Sequence, residues 1–197
     1  MKFDQFKRGL WRRINNALPI RWTTTQELAR RDPGCWQELV PAKDADWPEH
    51  IVSGEVPQEL RRYLPPKLES KGVLRLHRAW VSTQDGWVFT KGGERVLNLS
   101  GFHRLHQFAP RVRLPFPRFH RRSLPGVTLS LLSTWTTQNF YHFSMDAISR
   151  LHLIKRAGID WREIDQVLLP VLDSASARRW VEVAGIPREK IIPVRYG

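Results

Sequence analysis

An α/β fold built on a parallel sheet is predicted by three apolar runs that alternate with two helical patterns in the last third of the chain. Residues 127–132, 166–171 and 190–194 are short apolar runs suited to buried strands, and residues 139–157 and 174–184 carry helical patterning between them. Strand, helix, strand, helix, strand is the order in which right-handed crossovers build a parallel sheet. Gly158 and Gly185 close the two helical patterns, where a left-handed residue ends a helix at least cost. A further observation comes from residues 73–98, where strand-forming runs and turn residues alternate. They predict a small β-meander ahead of the parallel sheet.

The elements follow in chain order. Phe3, Phe6, Leu10, Ile14 and Leu18 recur at steps of three and four, a helical period. Between residues 1 and 22, six basic residues oppose the single acid Asp4. This predicts a basic amphipathic helical tail over 1–30, either docked on the fold by its apolar stripe or lying on an anionic membrane face through residues 1–22. From 31 to 70, Asp32-Pro33-Gly34, Trp47-Pro48, Val56-Pro57 and Pro65-Pro66 punctuate a loop-rich stretch, with a short helix around Pro57 to Tyr63. In the meander, residues 73–81 and 86–90 read as strands joined by a turn at Thr83 to Gly86, and a second turn at Lys91 to Glu94 leads into Arg95 to Asn98. Residues 101–122 hold six arginines and three histidines and no acid, interleaved with Phe and Pro, which reads as an irregular basic loop. The divisions expected are therefore 1–30, 31–125 and 126–197.

Charge and composition narrow the function classes. Lys and Arg outnumber Asp and Glu by 32 to 19, a formal net charge of +13, so polyanions of any kind are attracted. No nucleic-acid-binding pattern accompanies the basic loop, which disfavours nucleic acid as the partner. A single cysteine, Cys35, excludes an internal disulfide framework and a cysteine-rich zinc site. His77, His103, His106, His120 and His152 lack carboxylates at ligand spacing, so no metal is expected. There is no apolar run of about 20 residues and no signal-peptide pattern. The expected location is cytoplasmic, peripheral to the inner membrane face.

The helix starting at Asn139 carries the chemistry. Phe140, Phe143, Ala147, Leu151 and Ile154 form the stripe expected to pack on the sheet, and Asn139, His142, Asp146 and Arg150 form a neighbouring one. His142 and Asp146 are one turn apart. A histidine beside a carboxylate has its tautomer fixed and its protonated form stabilised, as a general base requires. Asn139 and His142 follow the carboxyl end of strand 127–132, where ligands bind in open α/β sheets. Two plainer readings stand beside this one: an Asp146–Arg150 ion pair, and a boundary histidine with satisfied hydrogen bonds. Asp173 or Ser174 reads as the N-cap of the second helix.

The run from Trp135 to Leu151 resembles the signature of glycosyltransferase family 61: Asn139, an aromatic at 140, Tyr141, His142, a carboxylate at Asp146, then Ala147 and Arg150-Leu151. Asp165 to Pro170 and Ala184 to Val194 continue the likeness, as do Arg78 to Val81 and Gly86 to Thr90 upstream, so that it covers about 73–197. The resemblance implies a GT-B-type enzyme whose Rossmann-like domains face each other across a cleft. Such an enzyme moves a sugar from a nucleotide-sugar donor to a hydroxyl of a glycan or polysaccharide, without a bound metal. It implies His142 and Asp146 as catalytic residues and Asn139, Tyr141 and Arg150 as substrate-binding ones. Family members continue into a second domain that holds most donor contacts, whereas this chain stops at Arg195-Tyr196-Gly197. The expectation is thus an incomplete GT-B fold, a small β-meander followed by the first β-α-β-α-β of the Rossmann-like sheet. The alternative, from a different class, is a non-enzymatic basic protein that binds anionic polymer or membrane.

Overall fold

The structure, a computed structural model, describes residues 21–46, 67–83, 86–99, 122–133 and 135–195. The basic tail helix, the short helix at 57–63 and the basic loop up to residue 121 lie outside the described residues. The fold is mixed α/β with several sheets. In chain order it comprises β1 (Trp22–Thr23), α1 (Thr25–Arg31), β2 (Trp36–Val40), β3 (Lys43–Asp44), β4 (Lys67–Leu68), β5 (Lys71–Leu74), β6 (Trp80–Val81), β7 (Val88–Phe89) and β8 (Arg95–Val96). There follow β9 (Thr128–Ser130), α2 (Phe140–His142), a π-helical turn (Phe143–Ile148), α3 (Arg150–Arg156), β10 (Gln166–Pro170), α4 (Ala175–Val183) and β11 (Ile191–Val194).

The parallel sheet has the order β11-β10-β9. Side chains alternate across a strand, and the burial follows that rule. Leu131, Val167 and Leu169 join Phe143, Ala147, Ile154 and Ala177 in one cluster, so both helical segments cover the same face. Leu132, Leu168 and Val194 point the other way and meet Val81 and Leu124. Ser174 caps α4 through a 3.1 Å bond from the Ala177 amide, and Gly158 and Gly185 adopt the expected left-handed conformation at φ 72° and 68°. Lys190 donates to the carbonyls of Trp161 and Ile164 at 2.5 and 2.7 Å, which fixes the approach to β11.

The first half departs from the sequence reading in three ways. The stretch 73–81 is two strands: β5 pairs antiparallel with β2, and β6 pairs with β7. Arg78 lies between them at φ 53°, a left-handed turn that ends the extended run. The loop-rich stretch 31–70 contains β2, β3 and β4. The solvent pattern of β2 does not alternate and its pairing slips at Glu38 to Val40, so it gives no period-two signal. Finally, α1 runs across residue 30, the expected end of the tail. It opens with a capping box, in which the Thr24 hydroxyl accepts from the Glu27 amide at 3.1 Å and the Glu27 carboxylate accepts from the Thr24 amide at 3.0 Å. Leu28 packs with Cys35 and Val96, which makes α1 part of a first lobe formed with β1 to β8.

The meander is present as β6-β7-β8, and β1 adds to its edge in parallel. Arg95 is 4% exposed, its guanidinium 3.4 Å from the Trp87 ring centroid and 5.0 Å from that of Trp22, so cation–π contact joins β1 to β7. Arg31 of α1 adds an ion pair to Glu94 at 2.8 Å. No helix among the described residues is long and apolar enough to cross a membrane.

Candidate active site

The site is built where β9 ends. Thr136 is fully buried, and its hydroxyl donates to the Ser133 carbonyl at 2.7 Å, which knots the loop directly after the strand. Trp135 is held in the left-handed region at φ 65°, and its carbonyl accepts from the amides of Gln138 and Asn139, both at 3.0 Å. These bonds turn the chain back and start a helix. Asn139 is its N-cap, with Oδ1 accepting from the Tyr141 amide at 2.8 Å. Gly86, at φ 67°, rests on the same loop from the meander side. A Cβ at that position would lie 2.5 Å from the Leu132 carbonyl carbon and 2.6 Å from the Ser133 nitrogen.

The helix does not run evenly. At Phe143–Ile148 it widens to a π turn, where the Ser149 amide reaches back five residues to the Ser144 carbonyl at 3.0 Å. Such turns insert one extra residue and occur often at functional sites. Phe143 and Ala147 remain buried and Ile148 joins them, whereas Phe140, expected on the buried stripe, is 39% exposed.

His142 ends α2 and Asp146 lies in the π turn. Their Nδ1 and Oδ2 atoms are 2.7 Å apart, with the side chains 19% and 33% exposed. The pair formed on this helix is therefore His142–Asp146 and not Asp146–Arg150. An ionised carboxylate only accepts hydrogen bonds. With it as partner the hydrogen of this bond sits on Nδ1, and in the neutral ring Nε2 then keeps its lone pair. The ring sits between two aromatics, Trp135 at 5.3 Å between centroids and tilted by 55°, and Tyr141 edge-on at 5.5 Å.

Arg150 goes inward. Its guanidinium donates to the carbonyls of Leu132 and Leu99 at 3.1 and 3.2 Å. Desolvation pushes its pKa down, and the charge of Asp146 acts in the opposite sense. The phase change at the π turn accounts for its departure from the His142–Asp146 stripe.

Of the residues singled out from sequence, His142 and Asp146 are thus in contact, Asn139 caps the helix that carries them, Tyr141 flanks the imidazole, and Arg150 holds backbone. Trp135 was not singled out, because no local pattern announces a non-glycine residue at positive φ. Among the described residues no group of three or more His, Cys, Asp or Glu gathers as a metal-binding set. A cavity of about 360 Å³ lies elsewhere, between β5 and β9, with Gly72, Val73, Ser130, Leu131, Arg150 and Ile154 in its walls. It touches neither His142 nor Asp146, and the hydrogen-bonded pair is the better guide to chemistry. No protein-family model, curated protein or solved structure matches the chain.

Proposed function

We propose that this chain takes part in glycosyl transfer from a nucleotide sugar to a hydroxyl of a glycan or polysaccharide, with His142 as the general base. The observation that carries the reading is the 2.7 Å contact between His142 and Asp146 beyond the carboxyl end of a parallel strand, the place where open α/β sheets bind ligands. Nε2 takes the acceptor hydroxyl proton as that oxygen bonds to the anomeric carbon. The bond from that carbon to the donor oxygen breaks, and the nucleotide leaves with the electron pair. Proton removal by the positioned base contributes on the order of 10²- to 10⁴-fold in rate, and Asp146 orients the ring and stabilises the imidazolium that forms. Tyr141, 62% exposed beside the imidazole, contacts the acceptor. Arg150 and Asn139 serve the substrate indirectly, by holding the loop and the helix start.

The resemblance from Trp135 to Leu151 supports the same reading, and with it a GT-B-type arrangement. The acceptor would then be a cell-surface polysaccharide under assembly, met at the inner membrane face through residues 1–22.

Calorimetric titration of the chain with UDP-, GDP-, dTDP- and CMP-sugars in moderate salt tests this. Saturable binding of one donor, dependent on its sugar, is the expected result. Weak binding of all four that ignores the sugar and collapses as salt rises would overturn it in favour of a polyanion-binding protein of net charge +13.

A further inference from the structure

Among the described residues, four of the eight exposed large apolar side chains lie within the segment 135–145 that carries His142. Trp135 is 43% exposed, Tyr141 62%, Met145 55% and Phe140 39%, and all four belong to the turn and helix start that carry the base. Trp135 differs from the others in its backbone. For a residue with a side chain, the left-handed conformation costs roughly 1–2 kcal/mol. It persists here because the Ser133–Thr136 knot and the two amides on the Trp135 carbonyl over-determine it. The fold thus holds a large aromatic ring half-exposed against the imidazole.

We infer that Trp135 is the stacking wall for the acceptor, and that the acceptor residue is a pyranose with an unobstructed C–H face, of the all-equatorial β-gluco type. The inference rests on the reading of His142 as the base for glycosyl transfer and adds the acceptor class to it. The C–H groups on such a ring face are weakly positive and meet the negative face of an indole. Axial hydroxyls would lift the sugar from the wall. A ring seated on Trp135 has its hydroxyl-bearing rim beside the imidazole, whose centroid is 5.3 Å from that of the indole.

A nucleobase would stack on the same wall, but its phosphates need cations nearby. Among the described residues, the wall adjoins a histidine–carboxylate pair, and the cation one turn further on, Arg150, is bonded to two carbonyls. Within the described residues, the polar group beside the wall is one that a sugar hydroxyl can bond.

The test is calorimetric binding of cellotetraose, chitotetraose and UMP to the full chain, its Trp135→Asn, Trp135→Phe and His142→Ala variants, and a parallel transfer assay. Asn tolerates the left-handed conformation, so Trp135→Asn removes the wall without straining the turn, and an unchanged thermal midpoint verifies this. The expected pattern is binding of a tetrasaccharide to the parent chain, a loss of about tenfold or more in Trp135→Asn, a smaller loss in Trp135→Phe, and loss of transfer in His142→Ala. Three results overturn the proposal: neither tetrasaccharide binds the parent chain, Trp135→Asn binds as tightly as the parent, or only UMP binding depends on Trp135. Transfer that survives in His142→Ala while saccharide binding still depends on Trp135 would instead remove the base and leave the wall.

Discussion

His142 and Arg150 share a helical stripe in the sequence, yet the fold uses them differently: one faces a partly open site and the other reaches under it to bond two carbonyls. The i,i+4 spacing that brings His142 to Asp146 is legible because it depends only on local helix geometry. The fate of Arg150 depends on Leu99, which is distant in sequence, so no local pattern contains it. A second residue-scale case is Cys35, 6% exposed among Leu28 and Val96. Burial pushes its thiol pKa up, and the charge of Asp32 adds to the rise. A raised folded-state value means that folding favours the protonated thiol. Its contribution to stability is therefore complete below the unfolded pKa of about 8.5 and is lost as pH climbs through the folded value. The native chain is expected to react with a thiol-directed disulfide reagent at pH 8 far more slowly than the chain in urea. Equal rates would place Cys35 at the surface.

Among elements, the three parallel strands were legible because strands buried on both faces are continuous apolar runs, as Val167, Leu168 and Leu169 are. The pair β3–β4 is two residues long in each strand, too short for alternation to register. The π turn was also invisible, since an extra residue per turn leaves composition unchanged. Its neighbour across the loop offers a test. Alanine at Gly86 would drive a Cβ into the backbone of Leu132 and Ser133, which cannot yield as a side chain end does. Gly86→Ala is expected to destabilise by about 2–3 kcal/mol, read from urea unfolding, and to shift the His142 ring resonances. A neutral effect on both would mean that the meander does not support the loop. Phe143, 1% exposed at the start of the π turn, gives a comparison inside the core. Phe143→Ala is expected to cost about 3–5 kcal/mol in the same measurement, and a cost below about 1 kcal/mol would show that the π turn is not seated on the sheet.

At the scale of the molecule, the polar ties between the first lobe and the parallel sheet with its helices include, among the described residues, Arg150 to Leu99, Gln37 to the Ala157 carbonyl at 3.3 Å, and Arg156 to the Leu39 carbonyl at 3.2 Å. Arg150→Met keeps the stem and removes the donors, leaving two carbonyls short of a partner. A loss of about 2–3 kcal/mol is expected, with a broader urea transition as the lobes begin to unfold separately. A sharp, unshifted transition would show that the apolar contacts of Val73 and Val81 with the sheet clusters suffice. The joined lobes have functional meaning only if the site they frame transfers sugar. The most direct measurement is therefore product formation, followed by mass spectrometry, from nucleotide sugars and oligosaccharide acceptors with the parent chain and with His142→Ala and Asp146→Asn. The expected result is a product whose rate falls by about 10²- to 10⁴-fold in His142→Ala and by less in Asp146→Asn, with the unfolding midpoints unchanged. Turnover in His142→Ala equal to that of the parent would contradict the account.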